Sequence, residues 1–339
     1  MSGKSDRLDE PPVPRVDHKL PSRCVQPQPT CSCASSADNI QVLRIPSIKH
    51  WHIVTSATIL LKAKGEGKER MRSNRTKRRL LLGETVFGCS LQCYRSSEIA
   101  RAFAAAGFDW FFIDMEHAGF NSETAQDIIA AAVAAQITPL VRVAELQYSL
   151  VARLLDLGAQ GIVLPRVEDP AQLAETLSWM LFPPSGKRGF GILPPLLDYE
   201  QESIASIIEH HNSNKLAVVQ FETELAMQRA DELLSVPGID VAMIGPTDLS
   251  VSLGIPGDFE HPIQLQMIQS FIEKCHVHGV IPGIHCRNVQ QAKPWIARGM
   301  KLIGCGSEQG MLIEKSKQTV VELRSAVPGH ADHSVSRMG

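Results

Sequence analysis

Residues 109–144 read DWFFIDMEHAGFNSETAQDIIAAAVAAQITPLVRVA. Two short apolar runs, DWFFIDME (109–116) and TPLVRVA (138–144), flank an alanine-rich segment of helical character, AQDIIAAAVAAQ. Near-continuous apolar strands joined by a helical crossover belong to a parallel sheet covered on both faces. The same alternation extends in both directions. Further runs are TVFGCSL (85–91), GIVLPRV (161–167), LAVVQFE (216–222), DVAMIGP (240–246), VIPGIHC (280–286) and LIGCGSE (302–308). Between them lie helical segments such as SSEIARAFAAAG, SLVARLLDLGAQG and LAMQRADELLSVPG, several closing on a glycine suited to a left-handed cap. Eight such units over about 250 residues predict an α/β fold, a single (β/α)8 TIM barrel. A doubly wound open sheet is the alternative, but the first strand-to-helix turn, CSLQCYRSS, lacks the G-x-G-x-x-G dinucleotide fingerprint.

The barrel is expected over residues 84–327. Residues 1–60, rich in Pro, Ser and Cys and without periodicity, predict a flexible N-terminal arm. A basic lead-in helix is expected over 61–83 and a disordered tail over 328–339. The Lys/Arg cluster from Lys64 to Arg79 lacks interleaved aromatic residues, so a solvated helix is expected there in preference to an RNA-binding surface. With 44% apolar residues and a net charge of -2, the 339-residue chain can bury a large core and has no overall pull toward nucleic acid or membrane. The eight cysteines are scattered, mostly within apolar runs, and none shows zinc-site spacing, which favours a reduced chain. The start has no apolar signal core and no run is long enough to span a bilayer, so a cytoplasmic location is expected.

In such a barrel, chemistry gathers at the carboxyl ends of the strands. Strand two ends in Asp114, Glu116 and His117, three ionisable groups that are costly to bury unpartnered. Strand three carries Arg142, strand five Gln220 and Glu222 on one side, and strand six runs into Thr247 and Asp248 at a helix start. Glu222 and Asp248 are hard oxygen donors with no second His or Cys pair nearby, so Mg²⁺, or Mn²⁺, suits them better than zinc. The helix beginning at Thr247 offers free N–H groups to a carboxylate. A chelated 2-oxo acid fits this set, with Arg142 facing its keto oxygen and steadying an enolate. Imine catalysis needs a lysine at a strand end. None is there, since Lys215 and Lys301 precede their strands. His117 needs an orienting partner to act as a base. Asp156, placed in the last turn of a helix against the dipole, is the candidate, and Asp114 competes with it.

The segments GFDWFFIDMEHA, PLVRVAE, LLDLGAQGIVLPRVED, FPPSGKRGFG, VQFET, VPGIDVAMIGPTDLSVSLGIPG and GCGSEQGML resemble the HpcH/HpaI family of metal-dependent pyruvate aldolases over residues 84–327. The resemblance implies His117 as base, Asp156 as the group raising its basicity and Arg142 as enolate stabiliser. It implies Glu222 and Asp248 as metal ligands, with Gln220 and the Thr247 and Asp248 backbone near the bound oxo acid. It also implies a homo-oligomer, a hexamer that exchanges the last helix between subunits. A closer likeness within the family, to a member that builds benzoate rings, implies the specific reaction. Oxaloacetate would be decarboxylated to a Mg²⁺-bound pyruvate enolate, which adds to a 2-pyrone. Thr247 and His285 depart from the common family pattern and would reshape the acceptor side, and Tyr199 would contact an extended second substrate. The alternatives are a reversible pyruvate–aldehyde aldolase and, from another class, an RNA-binding protein using the basic arm.

Overall fold

The computed structural model describes residues 71–193, 197 and 201–327. The expected arm (1–60), the first part of the lead-in (61–70), Tyr199 and the tail (328–339) lie outside those residues. All eight expected strands form: β1 Val86–Leu91, β2 Trp110–Asp114, β3 Thr138–Arg142, β4 Gly161–Leu164, β5 Leu216–Phe221, β6 Val241–Ile244, β7 Ile281–Cys286 and β8 Leu302–Ser307. Each pairs in parallel with the next, and β1 pairs with β8, so the barrel closes. Before it stands α1 (Arg75–Leu81). After β1 to β4 come α2 (Glu98–Ala106), α3 (Ser122–Ala134), α4 (Tyr148–Asp156), then α5 (Pro170–Ser178) with α6 (Ile204–Asn214). Next are α7 (Glu224–Gln228) and α8 (Ala230–Leu234), α9 (Pro246–Ser252) and α10 (Pro262–His278), α11 (Val289–Ala297) and α12 (Glu308–Ser325). The expected glycine cap closes α2 at Gly107, and Gly279 closes α10, both with positive φ.

Strand alternation sorts the core into two bodies. Phe111, Ile113, Val141, Val219 and Ile244 face the helices. Trp110, Phe112, Leu140, Val163, Val218 and Met243 fill the barrel interior. Trp110 is fully buried and its indole occupies space that two glycines leave open. A Cβ at Gly88 would lie 2.3 Å from the indole Cδ2, and one at Gly304 would lie 3.1 Å from its far edge. Trp110→Ala is expected to cost about 3–5 kcal/mol in stability by leaving a cavity that cannot collapse. Urea unfolding measures this, and a loss under about 1 kcal/mol would mean the interior repacks around the gap.

The described part of the lead-in corrects one expectation. Helix α1 forms, but it seals the N-terminal mouth of the barrel instead of standing in solvent. Leu80 joins the interior core, and the Thr76 hydroxyl bonds Thr138 at 2.8 Å. The Lys77 ammonium pairs with Asp240 at 2.9 Å and reaches the Lys215 carbonyl at 2.7 Å. Arg79 pairs with Glu84 at 2.6 Å and with Asp109. Lys77 and Arg79 are thus taken up by carboxylates at the strand starts. Among the described residues no helix is long and apolar enough to cross a membrane.

Candidate active site

At the C-terminal end of the barrel, register sets Asp114 of β2 beside Arg142 of β3. The guanidinium grips the carboxylate with Nε at 3.1 Å and Nη2 at 2.6 Å. Asp114 also accepts the backbone N–H groups of Glu116 and His117, each at 3.1 Å, which folds the chain back and lifts His117 to the rim. Burial pushes the Asp114 carboxyl up, but the Arg142 bonds and charge and the two N–H groups outweigh it and hold it below the usual carboxylate range. Arg142 stands 5.2 Å from the Phe112 ring centroid, and Asp114 uses its Nε and Nη2, leaving Nη1 for an occupant of the cavity. The inner oxygen of Glu116, Oε2, lies 3.3 Å from Arg142 Nε and 3.6 Å from His117 Nε2, without hydrogen-bond geometry to either. The His117 side chain is 51% exposed.

Gln220 and Glu222 face the same side, as expected from their spacing. The Gln220 amide donates to Glu222 Oε2, and Glu222 Oε1 accepts the Arg166 N–H at 2.8 Å. Glu222 is only 4% exposed. Burial pushes its carboxyl up to about 7, the nearby Asp248 and Glu116 charges add to the rise, and the Arg166 N–H and Arg142 oppose it. Gly245 is required for space, because a Cβ there would meet the Gln220 amide at 2.8 Å and Glu222 Oε2 at 3.0 Å. Asp248 is exposed and Thr247 half-buried at the start of α9, where both line the cavity.

The donor set suits a hard divalent ion. Two carboxylates face one region, the buried Gln220 Oε1 has no hydrogen-bond partner, and Glu222 is raised first by burial and then by the neighbouring Asp248 and Glu116 charges. Among the described residues no group of three or more His, Cys, Asp and Glu is placed to hold a metal ion by itself. Two carboxylates with room for waters and substrate oxygens match the way Mg²⁺ is held.

The cavity is about 1170 Å³, with His117, Arg142, Gln220 and Asp248 on one side and His285, Arg287, Asn288 and Ser307 on the other. His285 stacks edge-on against Phe112 at 5.2 Å, and its Nε2 is buried without a partner. Burial and then the Arg142 charge push its pKa down to about 4, so the ring is neutral. Neither Lys215 nor Lys301 enters this space, as the sequence predicts.

Within one chain Asp156 does not face His117. Helix α4 leaves the top of the barrel and ends at its bottom, where Asp156 lines a separate cavity with Asn74, Gln160 and Lys215. Its carboxylate is bonded to Arg188 at 2.6 Å. A pairing of Asp156 with His117 therefore needs a second copy of the chain. Three supporting residues escaped the sequence reading. Arg166 holds Glu222 through its N–H and Glu116 through its guanidinium at 2.9 Å. Gly245 makes room, and the buried Glu308 carboxylate accepts the N–H groups of Gln92, Cys93 and Tyr94, bringing Gln92 to the cavity. An acidic residue directly after the small-residue run GCGS was the available signal for Glu308.

The chain is similar to 2-keto-3-deoxy-L-rhamnonate aldolase of Klebsiella pneumoniae subsp. pneumoniae, with 33% identity over 69% of this chain and 87% of that protein. It is 30% identical to 2-dehydro-3,6-dideoxy-6-sulfogluconate aldolase of Pseudomonas putida over 68% of this chain and 89% of that one. The crystal structure of an HpcH/HpaI aldolase from Desulfitobacterium hafniense DCB-2 superposes with a TM-score of 0.72 at 28% identity, covering 76% of this chain and 98% of that one. Macrophomate synthase, to which the sequence suggested the closer likeness, matches at 22% identity and a TM-score of 0.66 over 78% of this chain and 96% of that one. At that identity the likeness carries the fold alone. Residues 94–315 match the model of the HpcH/HpaI aldolase/citrate lyase family, and with these relatives the match establishes that the chain is a carbon–carbon lyase belonging to that family.

Proposed function

We propose that the protein catalyses the reversible, divalent-ion-dependent cleavage of a 2-keto-3-deoxy sugar acid to pyruvate and an aldehyde. The observation that carries this reading is the convergence of Arg142, His117 and Asp248 on one cavity, with the buried Glu222 carboxylate close to Asp248 and Arg142, in a chain whose curated relatives are aldolases. The oxaloacetate and 2-pyrone reaction shares the same enolate, but its only specific support is the weaker likeness at 22% identity.

Glu222, Asp248 and the amide oxygen of Gln220 would hold the ion, Mg²⁺ or Mn²⁺. When bound, the ion supplies a Lewis acid for the oxo group and carboxylate of the substrate. Arg142 Nη1 meets the oxo oxygen and holds the negative charge that develops there. The N–H groups of Thr247 and Asp248 meet the substrate carboxylate. In cleavage His117 takes the proton of the C4 hydroxyl. The C3–C4 bond breaks, its electrons pass into the enolate, and the aldehyde leaves. Protonation at C3 then gives the pyruvate methyl group. In synthesis the same imidazole removes that methyl proton. His285 and Thr247 line the space left for the aldehyde.

A homo-oligomer fits two features. Helix α12 carries exposed Leu312, Ile313, Val321 and Leu323, and Asp156 can serve His117 only across copies. We take the assembly to be the hexamer of the family. Mixing inactive His117→Ala and Asp156→Asn proteins under exchange conditions is expected to recover part of the activity, because some sites receive both intact residues. Failure to recover any, in mixtures shown to exchange subunits, removes Asp156 from the mechanism.

The direct test couples pyruvate release to lactate dehydrogenase, with 2-keto-3-deoxy-L-rhamnonate and related acids as substrates. Release is expected with Mg²⁺ or Mn²⁺ and none with chelator. A parallel incubation with oxaloacetate and a 2-pyrone, read by mass spectrometry, assesses the other reaction. No pyruvate from any 2-keto-3-deoxy acid would overturn the proposal.

A further inference from the structure

Two arginines line the cavity among the described residues, Arg142 and Arg287. Arg142 gives Nε and Nη2 to Asp114, and its Nη1 is taken by the oxo group in the proposed cleavage. Arg287 has no such commitment. It is exposed, and among the described residues its guanidinium forms no ion pair and no hydrogen bond. The Phe259 ring stands beside it, with its centroid 5.7 Å from the guanidinium carbon. An aromatic ring against the face of a guanidinium leaves the N–H groups along its edge open.

The backbone under Arg287 is tied down. Strand β7 ends at Cys286, and α11 opens at Val289. Asn288 caps that helix by accepting the Gln291 N–H at 3.0 Å, and Gln291 Oε1 accepts the Arg287 N–H at 3.1 Å. His285 and Arg287 stand two apart and both line the cavity, as strand alternation carried one residue past β7 requires. The cavity, at about 1170 Å³, is as large as sites that hold drug-sized molecules, and a three-carbon oxo acid fills only a corner of it. With the oxo acid between Arg142 and the start of α9, the rest of the substrate extends past His285 to the Arg287 edge. Asp248 and Glu314 also line the cavity, so Arg287 decides the sign of the field at that end. A guanidinium offers paired donors to a carboxylate, sulfonate or phosphate, and a methyl end gains nothing from it.

We propose that Arg287 is a specificity-determining residue that selects aldehydes, and the sugar acids built from them, whose far end carries an anionic group. This rests on the aldolase reading of the cavity and narrows its substrate class. Condensation with pyruvate and Mg²⁺ is measured on aldehydes paired by end group. The pairs are glyceraldehyde 3-phosphate against glyceraldehyde, 4-oxobutanoate against butanal, and 3-oxopropanesulfonate against propanal, which separates phosphate, carboxylate and sulfonate. The wild type is expected to favour the anionic member of at least one pair by about tenfold in kcat/KM, the worth of one charge-assisted bond to an exposed guanidinium. The preference should lie in KM and shrink with added salt. Arg287→Ala should bring the ratio near one, Arg287→Glu should bring it below one, and Arg287→Lys should keep part of it. No preference in the wild type, or an equal preference in Arg287→Ala, overturns the proposal.

A second readout needs no turnover. Glycerol 3-phosphate, butanoate and propanesulfonate are titrated calorimetrically into the protein with Mg²⁺, with and without pyruvate, and glycerol is the neutral control. At least one anion is expected to bind the wild type and to bind Arg287→Ala about tenfold more weakly. Equal affinities in the two proteins, or no anion bound by the wild type, overturn the proposal. If the wild type condenses no aldehyde with pyruvate, the aldolase reading falls, while the titrations still decide whether Arg287 holds an anion.

Discussion

Arg142→Ala is expected to lower pyruvate formation by about 100- to 1,000-fold, the usual cost of losing one donor to a developing oxyanion. The same substitution strands Asp114, which is fully buried and would keep only two backbone N–H partners. Removing one member of a buried ion pair costs about 3–5 kcal/mol, because the remaining charge has no compensation. Activity and stability should therefore fall together. The double variant Asp114→Asn/Arg142→Ala separates them. It removes the stranded charge, so the thermal midpoint should recover while the lactate dehydrogenase assay stays low. If Arg142→Ala retains activity within tenfold of wild type, the role assigned to the guanidinium is wrong.

Glu222→Gln is expected to abolish ion-dependent turnover and to change how stability depends on pH. The Glu222 carboxyl titrates near 7 in the folded chain, above its ordinary value of 4.5. A raised folded-state value favours the protonated form, so the folded state is penalised progressively as pH climbs from about 4.5 to about 7 and the penalty is constant above that. The shift corresponds to at most about 3 kcal/mol. In chelator, wild-type stability should fall across that window relative to Glu222→Gln. With saturating Mg²⁺ the wild type should regain stability at pH 7 to 8, because the ion binds only the folded state, and the variant should gain little. Urea titrations at several pH values measure both. Parallel pH profiles for the two proteins would show that the Glu222 charge is not strained, and with it the case for a cation beside it would fall.

The eight strands were legible because fully buried parallel strands are almost continuously apolar, and that signal survives without any tertiary context. Their ends were less so. GIVLPRV reads as one run to Val167, but β4 stops at Leu164, since Pro165 has no N–H to continue the ladder and Arg166 turns left-handed. DWFFIDME stops at Asp114, whose carboxylate captures the N–H groups that would have extended the strand. Gln220 and Glu222 were readable as neighbours because strand periodicity puts alternate residues on one face. The place of Asp156 was not legible because a helix in this fold reverses direction, so its last turn lies at the opposite end from the strand tips of its own chain. The lead-in helix misled for another reason, as its two buried residues, Thr76 and Leu80, make no apolar stripe in a strongly basic segment. The Arg166 contacts join three separate loops, and no local pattern encodes such a meeting.

The indole of Trp110, with Leu80 below it, stops the barrel like the base of a flask. Among the described residues the way in lies at the other end, past the strand tips. Whatever sits deepest must arrive first and depart last, so under the proposed reaction the 2-oxo acid would precede the aldehyde in condensation and pyruvate would follow it out in cleavage. Steady-state kinetics should then be ordered, with added pyruvate competing with the sugar acid for the empty protein and added aldehyde competing only for the form that already holds pyruvate.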